Sequence, residues 1–418
     1  MKKLPQLVVV LPKICLLLTL ITIPATQSRA ALLGIVAGSL YVLSKKYEFA
    51  NIKKYLDQYR IIYVFLTIFI IGAAWLGYSL KNDSADGRFL IWKNSIQLGS
   101  DNFFFGSGHG GFQANYMNQQ AEYFRSSPES KYIAVADNVQ FAFNEFLQLF
   151  IEEGILGILL VIVAILSIVS TKNNSPIIVG AKSGILSILV FSLFSYPMQI
   201  LPLQLNLVLF TAIIASYQTK SYFCFNFSSL IKKSIVKYVI IVCLLTICIW
   251  GAARIKELYN GYKSWATAGH YYRLGNYKMA VANFEKAKFI FEDNGAFLTQ
   301  YGKTLSMLQR NNDALTTLEK AAKKSNSTVV QIGLGDSYRR LGAYKLAEKS
   351  YLTAYYMVPS RMYPLYLLAN LYQETGKHNL ATEMAKALLR KHAKIESEAT
   401  NQMREEMNRL LQEKDDNR

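Results

Sequence analysis

Long apolar runs dominate the first 253 residues of this 418-residue chain and constrain its fold more than any other feature. A transmembrane helix needs about 20 mostly apolar residues. Lys13 interrupts the first run, which could be a signal-like anchor, but no small-x-small cleavage site follows it and we expect a retained span. The runs predict an all-α, polytopic bundle of about seven spans, near residues 6–25, 28–44, 61–80, 147–170, 177–196, 199–217 and 236–253.

Lysine and arginine in two short loops predict the orientation of these spans. The loops are 45–60, with Lys45, Lys46, Lys53, Lys54 and Arg60, and 218–237, with Lys220, Lys232, Lys233 and Lys237. Positively charged loops stay on the cytoplasmic side. The long loop 81–146 and all residues beyond Ala253 are therefore expected on the opposite side, which in a bacterium is the periplasm of a multi-pass inner-membrane protein.

The composition agrees with a membrane part joined to a water-soluble part. Hydrophobic residues make up 52% of the chain and charged residues 18%, against about 25% charged residues in a soluble domain. The formal net charge of +18 could indicate nucleic acid, but positive loops at a membrane account for it better. The four cysteines lie in or beside apolar runs and imply no disulfide framework.

The part of the chain after Ala253 is repetitive. Four units align on their first alanines, which lie 34, 33 and 34 residues apart, and Gly275, Gly342 and Gly376 precede three of them. This is the tetratricopeptide period. The aligned units are Ala280-x-x-x-Phe284-x-x-Ala287, Ala314-x-x-x-Leu318-x-x-Ala321, Ala347-x-x-x-Tyr351-x-x-Ala354 and Ala381-x-x-x-Ala385.

The predicted domains are a transmembrane domain over 1–253, a repeat domain over 254–390 and a charged capping helix over 391–418. Tetratricopeptide arrays form a superhelix with a concave binding face. The repeats are therefore expected to dock a periplasmic protein or glycan, with a merely solubilising appendage as the alternative.

The loop 81–146 is too long and too aromatic for a simple connector. Together with Pro24-Ala25-Thr26-Gln27-Ser28-Arg29-Ala30 ahead of the second run, its ordered motifs resemble the O-antigen ligase and O-antigen polymerase superfamily, especially members with C-terminal tetratricopeptide repeats. The motifs are Asp86-Gly87-Arg88-x-x-x-Trp92-Lys93, Phe105-Gly106-Ser107-Gly108-His109-Gly110-Gly111-Phe112, Tyr116-x-x-x-Gln120-Ala121-x-Tyr123-Phe124, and Asn144-Glu145-Phe146-Leu147-Gln148 running into Glu152-Glu153-Gly154-Ile155-Leu156-Gly157.

The resemblance implies a GT-C-like membrane glycosyltransferase that works on the periplasmic face. Its donor would be a glycan on undecaprenyl pyrophosphate, and its acceptor lipid A core, a growing polysaccharide or a protein. The family transfers the glycan with inversion and requires no metal and no nucleotide sugar, so no cofactor is expected. Membrane lipids are expected partners and nucleic acid is not.

Two arginines are suited to a lipid pyrophosphate, because a planar guanidinium binds phosphate oxygens bidentately and stays charged. Arg29 lies at the periplasmic mouth of the second span, where it is placed to hold the anion. Arg88 lies just beyond the third span and could stabilise charge on the leaving pyrophosphate. The alternative for each is an arginine that anchors a helix at the lipid headgroups.

Further candidates lie on the loop and at the start of the fourth span. His109 could act as a general base, or be an ordinary exposed histidine in a glycine-rich turn. Tyr116 and Gln120, four residues apart on an expected helix, could face a sugar or simply pack. Asn144 could contact substrate, and Glu145 could accept a proton from an acceptor hydroxyl or interact with the helix N-terminus.

Two departures from the family pattern favour a competing interpretation. Many members have His-x-His before the asparagine, whereas this chain has Phe141-Ala142-Phe143. Either Glu145, Asp137 or His109 replaces a histidine base, or this branch uses another acceptor, or the protein is inactive. Members also commonly have several more spans ahead of the serine–arginine motif, which predicts an N-terminally short member. The alternative is therefore a non-catalytic membrane scaffold, possibly truncated, whose repeats recruit a partner.

Overall fold

The computed structural model describes residues 6–26, 28–46, 82–171, 173–217, 234–393 and 396–416. Within these ranges every regular element is helical and there is no β-strand. The all-α fold class is therefore confirmed. The predicted span 61–80 lies outside the described residues.

The helices of the apolar part and its loop are, in chain order, α1 Gln6–Thr26, α2 Arg29–Lys46, α3 Asn82–Asp101, α4 Gly111–Ser126, α5 Glu145–Val169, α6 Pro176–Ser192 and α7 Leu201–Ser216. The helices that follow are α8 Ser234–Arg273, α9 Tyr277–Ala287, α10 Gly295–Met307, α11 Asn311–Lys324, α12 Thr328–Arg340, α13 Tyr344–Met357, α14 Tyr363–Glu374, α15 His378–Leu389 and α16 Glu398–Asp416. Short 3₁₀ turns lie at Lys131–Ile133 and Pro197–Gln199.

The chain forms two compact units, and their boundary differs from the domain limits predicted from sequence. The first unit combines Met1–Ser107 with Phe141–Ser221, and the second combines Gly108–Gln140 with Tyr222–Arg418. The middle of the long loop thus belongs with the repeats. Apolar patterning could not indicate this, because it marks spans and not the partner of a polar loop.

Among the described residues, two helices are long and apolar enough to cross a membrane by length and composition. They are α5 and the part of α8 over Tyr238–Arg273, while α6 and α7 are shorter apolar helices. Two such helices alone indicate a membrane only weakly. The full set of spans remains a prediction.

Small residues bring α2 and α6 together in the first unit. Gly34 and Gly38 are buried on α2, and the Ser183 hydroxyl donates to the Gly38 carbonyl at 2.9 Å. Glycine permits this close backbone approach, which is typical of helix pairs in membranes. The packing fixes the direction of α2, and therefore the place of Arg29 at its first position.

The second unit contains the predicted solenoid. Antiparallel hairpins form from the end of α8 with α9, from α10 with α11, from α12 with α13 and from α14 with α15, and α16 packs on the last of them. All of the aligned repeat positions are fully buried, namely Ala280, Phe284, Ala287, Ala314, Leu318, Ala321, Ala347, Tyr351, Ala354, Ala381 and Ala385. The alanine spacing thus predicted the packed face of each second helix correctly.

The turn inside each hairpin uses one residue with positive φ. Gly275, Gly342 and Gly376 have φ of 74°, 74° and 71°, and Gln309 takes the same role at 60°. In each turn the next residue donates its N–H to a carbonyl five positions back, at 2.8 to 3.1 Å. This Schellman geometry favours glycine, because a Cβ is strained at positive φ.

Replacing Gln309 with glycine should therefore stabilise its hairpin. Relief of the left-handed strain, about 1–2 kcal/mol, outweighs the added backbone entropy of glycine, about 0.5–1 kcal/mol. We expect slower hydrogen exchange of α10 amides in the full-length Gln309→Gly protein. Gly342→Ala is the matched opposite change and should speed exchange in α12; equal exchange in both variants and the wild type would contradict the account.

Candidate functional site

The first unit contains a cleft of about 330 Å³ in which both predicted arginines lie. The start of α2 supplies Arg29. The residue directly after the Asp86-Gly87 pair in α3 is Arg88, and Trp92 lies one turn further on. The remaining lining residues are Ser28, Ala30, Ser84, Ala85, Phe89, Phe194 and Ser195. Segments far apart in sequence thus bring two guanidinium groups to one cavity.

The charge in this cleft is unbalanced. Among the described residues, no ion pair joins Arg29 or Arg88 to a carboxylate. The pKa of Arg88 is lowered from its ordinary value, first because burial disfavours the charged form and then because Arg29 adds a like charge. An anion that bound between the two guanidinium groups would remove this repulsion.

Aromatic rings border the arginines. The guanidinium carbon of Arg88 lies 5.7 Å from the centre of the Phe143 ring, within the range of a cation–π interaction. Phe143 also meets Tyr196 edge to face at 5.3 Å. Its φ of 51° is unusual for a bulky residue. At position 143, where the family resemblance implies a histidine in many members, this chain has an aromatic ring that lies against Arg88.

The indole of Trp92 connects two of the segments around the cleft. Its Nε1–H donates to the carbonyl of Ala142 at 3.1 Å, and its ring lies 6.3 Å from that of Phe194. The hydrogen bond satisfies a partly buried indole N–H. Trp92 therefore orients the chain just ahead of Phe143.

Asn144 and Glu145 begin α5 and both accept backbone N–H groups. The Asn144 Oδ1 accepts from Phe146 and Leu147 at 3.0 Å each, which is a helix N-cap. The Glu145 Oε1 accepts from the N–H of Met198 at 2.7 Å. Glu145 thereby holds the 194–199 turn, which provides Phe194 and Ser195 to the cleft. The predicted substrate and base roles of these two residues stay predictions.

Tyr116 and Gln120 lie in the second unit and are fully buried. The Tyr116 hydroxyl donates to Gln120 Oε1 at 2.9 Å. Gln120 Nε2 donates to the carbonyls of Asp137 and Met357, at 3.1 and 2.6 Å. Their predicted helical spacing is present, but a sugar would have to displace these bonds, so their role as substrate ligands stays a prediction.

The whole segment Gly108–Gln140 is attached to the repeats by similar polar contacts. The Asn326 N–H donates to the Gln113 carbonyl at 3.0 Å. Further contacts are Asn326 Nδ2 to Asn118 Oδ1 at 2.7 Å, Asn138 Nδ2 to Thr328 Oγ1 at 2.9 Å, the ion pair of Arg361 with Asp137 at 2.7 Å, and Arg125 over the Tyr356 ring at 5.3 Å. The loop segment is therefore bound to the solenoid by intramolecular contacts.

The two other candidate bases lie in this second unit. The Asp137 carboxylate is paired with Arg361, and the side chain of His109 is exposed in the turn that precedes α4. Neither belongs to the unit that contains the arginine cleft. Their proposed catalytic roles stay predictions.

The turn over 194–199 belongs to the site, although its sequence did not predict this. Phe194 and Ser195 line the cleft, Tyr196 packs on Phe143 and Met198 binds Glu145. A signal was present, since Phe194-Ser195-Tyr196-Pro197 lies where two apolar runs meet. Nothing in that motif says which other segments it approaches.

Comparison with known proteins supports the family resemblance. The sequence profile of the family described as O-Antigen ligase matches residues 14–162, a stretch that contains all seven candidate site residues. The resemblance predicted from the motifs is confirmed. The match indicates a bacterial inner-membrane protein with a glycan-processing function, and substrates of the general class of a lipid-linked glycan and an acceptor.

Curated proteins and solved structures add less. No curated protein matches the chain. Among solved structures, a crystal structure of MamA protein is 17% identical over 37% of this chain and 88% of its own, with a TM-score of 0.30. MamA 41-end from Desulfovibrio magneticus RS-1 is 18% identical over 31% of this chain and 74% of its own, with a TM-score of 0.29.

Gln120→Ala should loosen the loop segment. The change leaves the buried carbonyl of Met357 and the partly buried carbonyl of Asp137 without this donor, which costs about 1–3 kcal/mol. We expect the amides of α4 to exchange hydrogen on the order of tenfold faster in the full-length protein. Gln119→Ala, at the neighbouring position of the same helix, is the control and should leave exchange unchanged. Equal exchange in the two variants would show that Gln120 does not hold the segment.

Proposed function

We propose that this protein is a multi-pass membrane glycosyltransferase that transfers or polymerises a glycan carried on undecaprenyl pyrophosphate. The observation that carries the proposal is the cleft shared by Arg29 and Arg88. Two guanidinium groups with no carboxylate partner among the described residues favour a dense anion, and a pyrophosphate has the charge to occupy both. The O-antigen ligase profile over residues 14–162 supports the same class of donor.

In the proposed reaction a hydroxyl of the acceptor glycan attacks the anomeric carbon of the donor. A new C–O bond forms as the bond from that carbon to the pyrophosphate oxygen breaks, with inversion. The leaving pyrophosphate takes the electron pair and is stabilised by Arg29 and Arg88. The hydroxyl proton passes to a carboxylate, for which Glu145 is proposed, since Oε2 is the oxygen that Met198 does not occupy.

The aromatic side chains of Trp92 and Phe143, here called the aromatic wall, border the cleft and take no proton in the proposed reaction. Phe143 keeps Arg88 directed by its cation–π contact, and Trp92 offers a flat apolar face of the kind on which sugar rings pack. A histidine at Phe143 would supply a base instead. The proposal therefore assigns proton transfer to Glu145 and orientation of Arg88 to Phe143.

We also propose that the loop and the repeats lie in the periplasm. The positive loops around 45–60 and 218–237 support this orientation. The repeats then hold segment 108–140, which is continuous in sequence with residues 141–145 of the site. A periplasmic partner would use the repeat surface that this segment leaves open.

Complementation of a deletion strain tests the catalytic assignment. Wild-type protein should restore the surface glycan seen on a gel, while Arg88→Ala should abolish it and Arg88→Lys should restore it in part, because lysine keeps the charge but not the bidentate geometry. Lys93→Ala is the matched control, since Lys93 is an exposed cation on the same helix outside the cleft. Membrane levels of all variants must be equal.

The same strain tests the scaffold alternative. If Arg88→Ala restored the glycan fully, catalysis by Arg88 would be wrong and a non-catalytic scaffold would be favoured. A protein that ends at Ala253 lacks the repeats and should fail to complement, because segment 108–140 loses the helices against which it packs. Full function of that shortened protein would contradict the proposed role of the repeats.

A further inference from the structure

Three consecutive phenylalanines lie exposed in the turn after α3. Phe103, Phe104 and Phe105 expose 46%, 63% and 78% of their surface. Among the rings that the structure describes, Phe103 contacts Phe150 at 5.7 Å, while Phe104 has a ring contact with Phe103 alone and Phe105 has none. Three adjacent large apolar side chains in a turn are costly in water, so the turn, here called the phenylalanine turn (102–107), is expected to be covered.

The backbone of the phenylalanine turn is joined to a break in α5. Gly154 has φ 66° and ψ −166°, which interrupts the helix. The N–H groups of Ile155 and Leu156 therefore donate to the carbonyls of Phe103 and Phe104, at 2.9 and 3.4 Å.

The turn also provides a hydrogen-bond donor to a helix carbonyl on the N-terminal side of the break. The carbonyl of Ile151 accepts from the N–H and the hydroxyl of Ser107, at 2.8 and 2.9 Å. Gly106 donates to Asn102 within the turn at 2.8 Å. The turn thus replaces the helical hydrogen bonds that Gly154 removes.

This pairing has a specific advantage next to lipid. Irregular backbone is tolerated at membrane depth only when its polar groups are bonded within the protein, and the turn and the helix break satisfy each other. The hydrogen bonds of the turn therefore make lipid a cover that its backbone allows.

The position of the turn along α5 points the same way. The turn meets α5 where its exposed apolar surface begins, with Leu156, Leu159 and Leu160 all exposed. The uninterrupted apolar part after the break, 155–169, is about 22 Å long at 1.5 Å per residue, less than the hydrocarbon core of about 30 Å. The three phenylalanine rings add apolar surface at the N-terminal end of this part of the helix.

We propose that the phenylalanine turn inserts its side chains into the lipid of the membrane face at which α5 enters. Asp101 and Glu153 are exposed beside it, so insertion is shallow and reaches the boundary between headgroups and acyl chains. The partner is bilayer lipid. The inference rests on α5 crossing the membrane and is independent of the proposed chemistry.

Spin labelling of the full-length protein in lipid nanodiscs tests the inference. Cys15, Cys224, Cys243 and Cys248 are replaced with alanine, and a nitroxide is attached at Phe105→Cys. The control is Phe289→Cys, because Phe289 has the same 78% exposure in the second unit. At 105 we expect collisions with oxygen to exceed those with a water-soluble nickel chelate several-fold, and the reverse at 289.

Two results at position 105 would overturn the inference. A label as accessible to the nickel chelate as that at 289 would place the turn in water. A label inaccessible to both reagents would show that protein covers the turn.

A glycine substitution tests the link to the helix break. A Cβ at Gly154 would overlap the Phe104 carbonyl, whereas a Cβ at Gly180 meets nothing nearby. Gly154→Ala should therefore abolish the excess of oxygen collisions at 105, and Gly180→Ala should preserve it. An unchanged signal in Gly154→Ala would contradict the proposed support of the turn by the break.

Discussion

Arg29 and Arg88 share one cleft, and the contacts around that cleft determine where their like charges lie. Two cations in one partly buried cleft disfavour each other, and no carboxylate among the described residues neutralises them. Contacts other than ion pairs must therefore hold them in place. The small-residue contact of α2 with α6 fixes Arg29, and α3 with the Phe143 ring fixes Arg88. An anion between the two guanidinium groups would remove the like-charge repulsion.

The first ten residues of α5 organise much of what surrounds this cleft. Asn144 caps the helix directly after the left-handed Phe143, and Glu145 holds the 194–199 turn. Gly154 then breaks the helix and receives the phenylalanine turn. One helix start therefore positions the aromatic wall, a carboxylate and a surface suited to lipid.

The repeats of the second unit provide the surface on which loop segment 108–140 packs. A loop segment as long as 108–140 cannot form its own core, and its buried residues need a surface to pack on. The repeats provide it through backbone carbonyls and amides, as the bonds of Gln120 to Met357 and of Asn326 to Gln113 show. The role of the solenoid toward this segment is architectural, and an external partner is not required to explain it.

The sequence predicted what has a period or a chemical signature. Buried alanines such as Ala280 and Ala314 follow from a period. Arg29 and Arg88 were selected from their motifs and line one cleft, while their roles stay predictions. The sequence could not predict that Gln309 replaces a turn glycine, because its neighbours, and not its own preference, impose the positive φ.

Long-range partners were also beyond the sequence. The spacing of Tyr116 and Gln120 indicated that they share one helix face. It could not indicate Met357, which binds Gln120 and lies more than 200 positions away in sequence. Likewise nothing in Phe194-Ser195 indicated that it would meet Trp92. Partners of this kind depend on the packing of whole helices, which local pattern does not encode.

Direct binding of undecaprenyl pyrophosphate tests whether the two arginines form an anion site for a lipid pyrophosphate. Undecaprenyl pyrophosphate would be titrated into the full-length wild-type and Arg29→Ala proteins in nanodiscs, with Lys93→Ala as the control. Arg29→Ala loses charge-assisted hydrogen bonds to the pyrophosphate and should bind it roughly 10- to 100-fold more weakly than the wild type. Lys93→Ala should bind it as tightly as the wild type. Equal affinity in all three proteins would contradict the account.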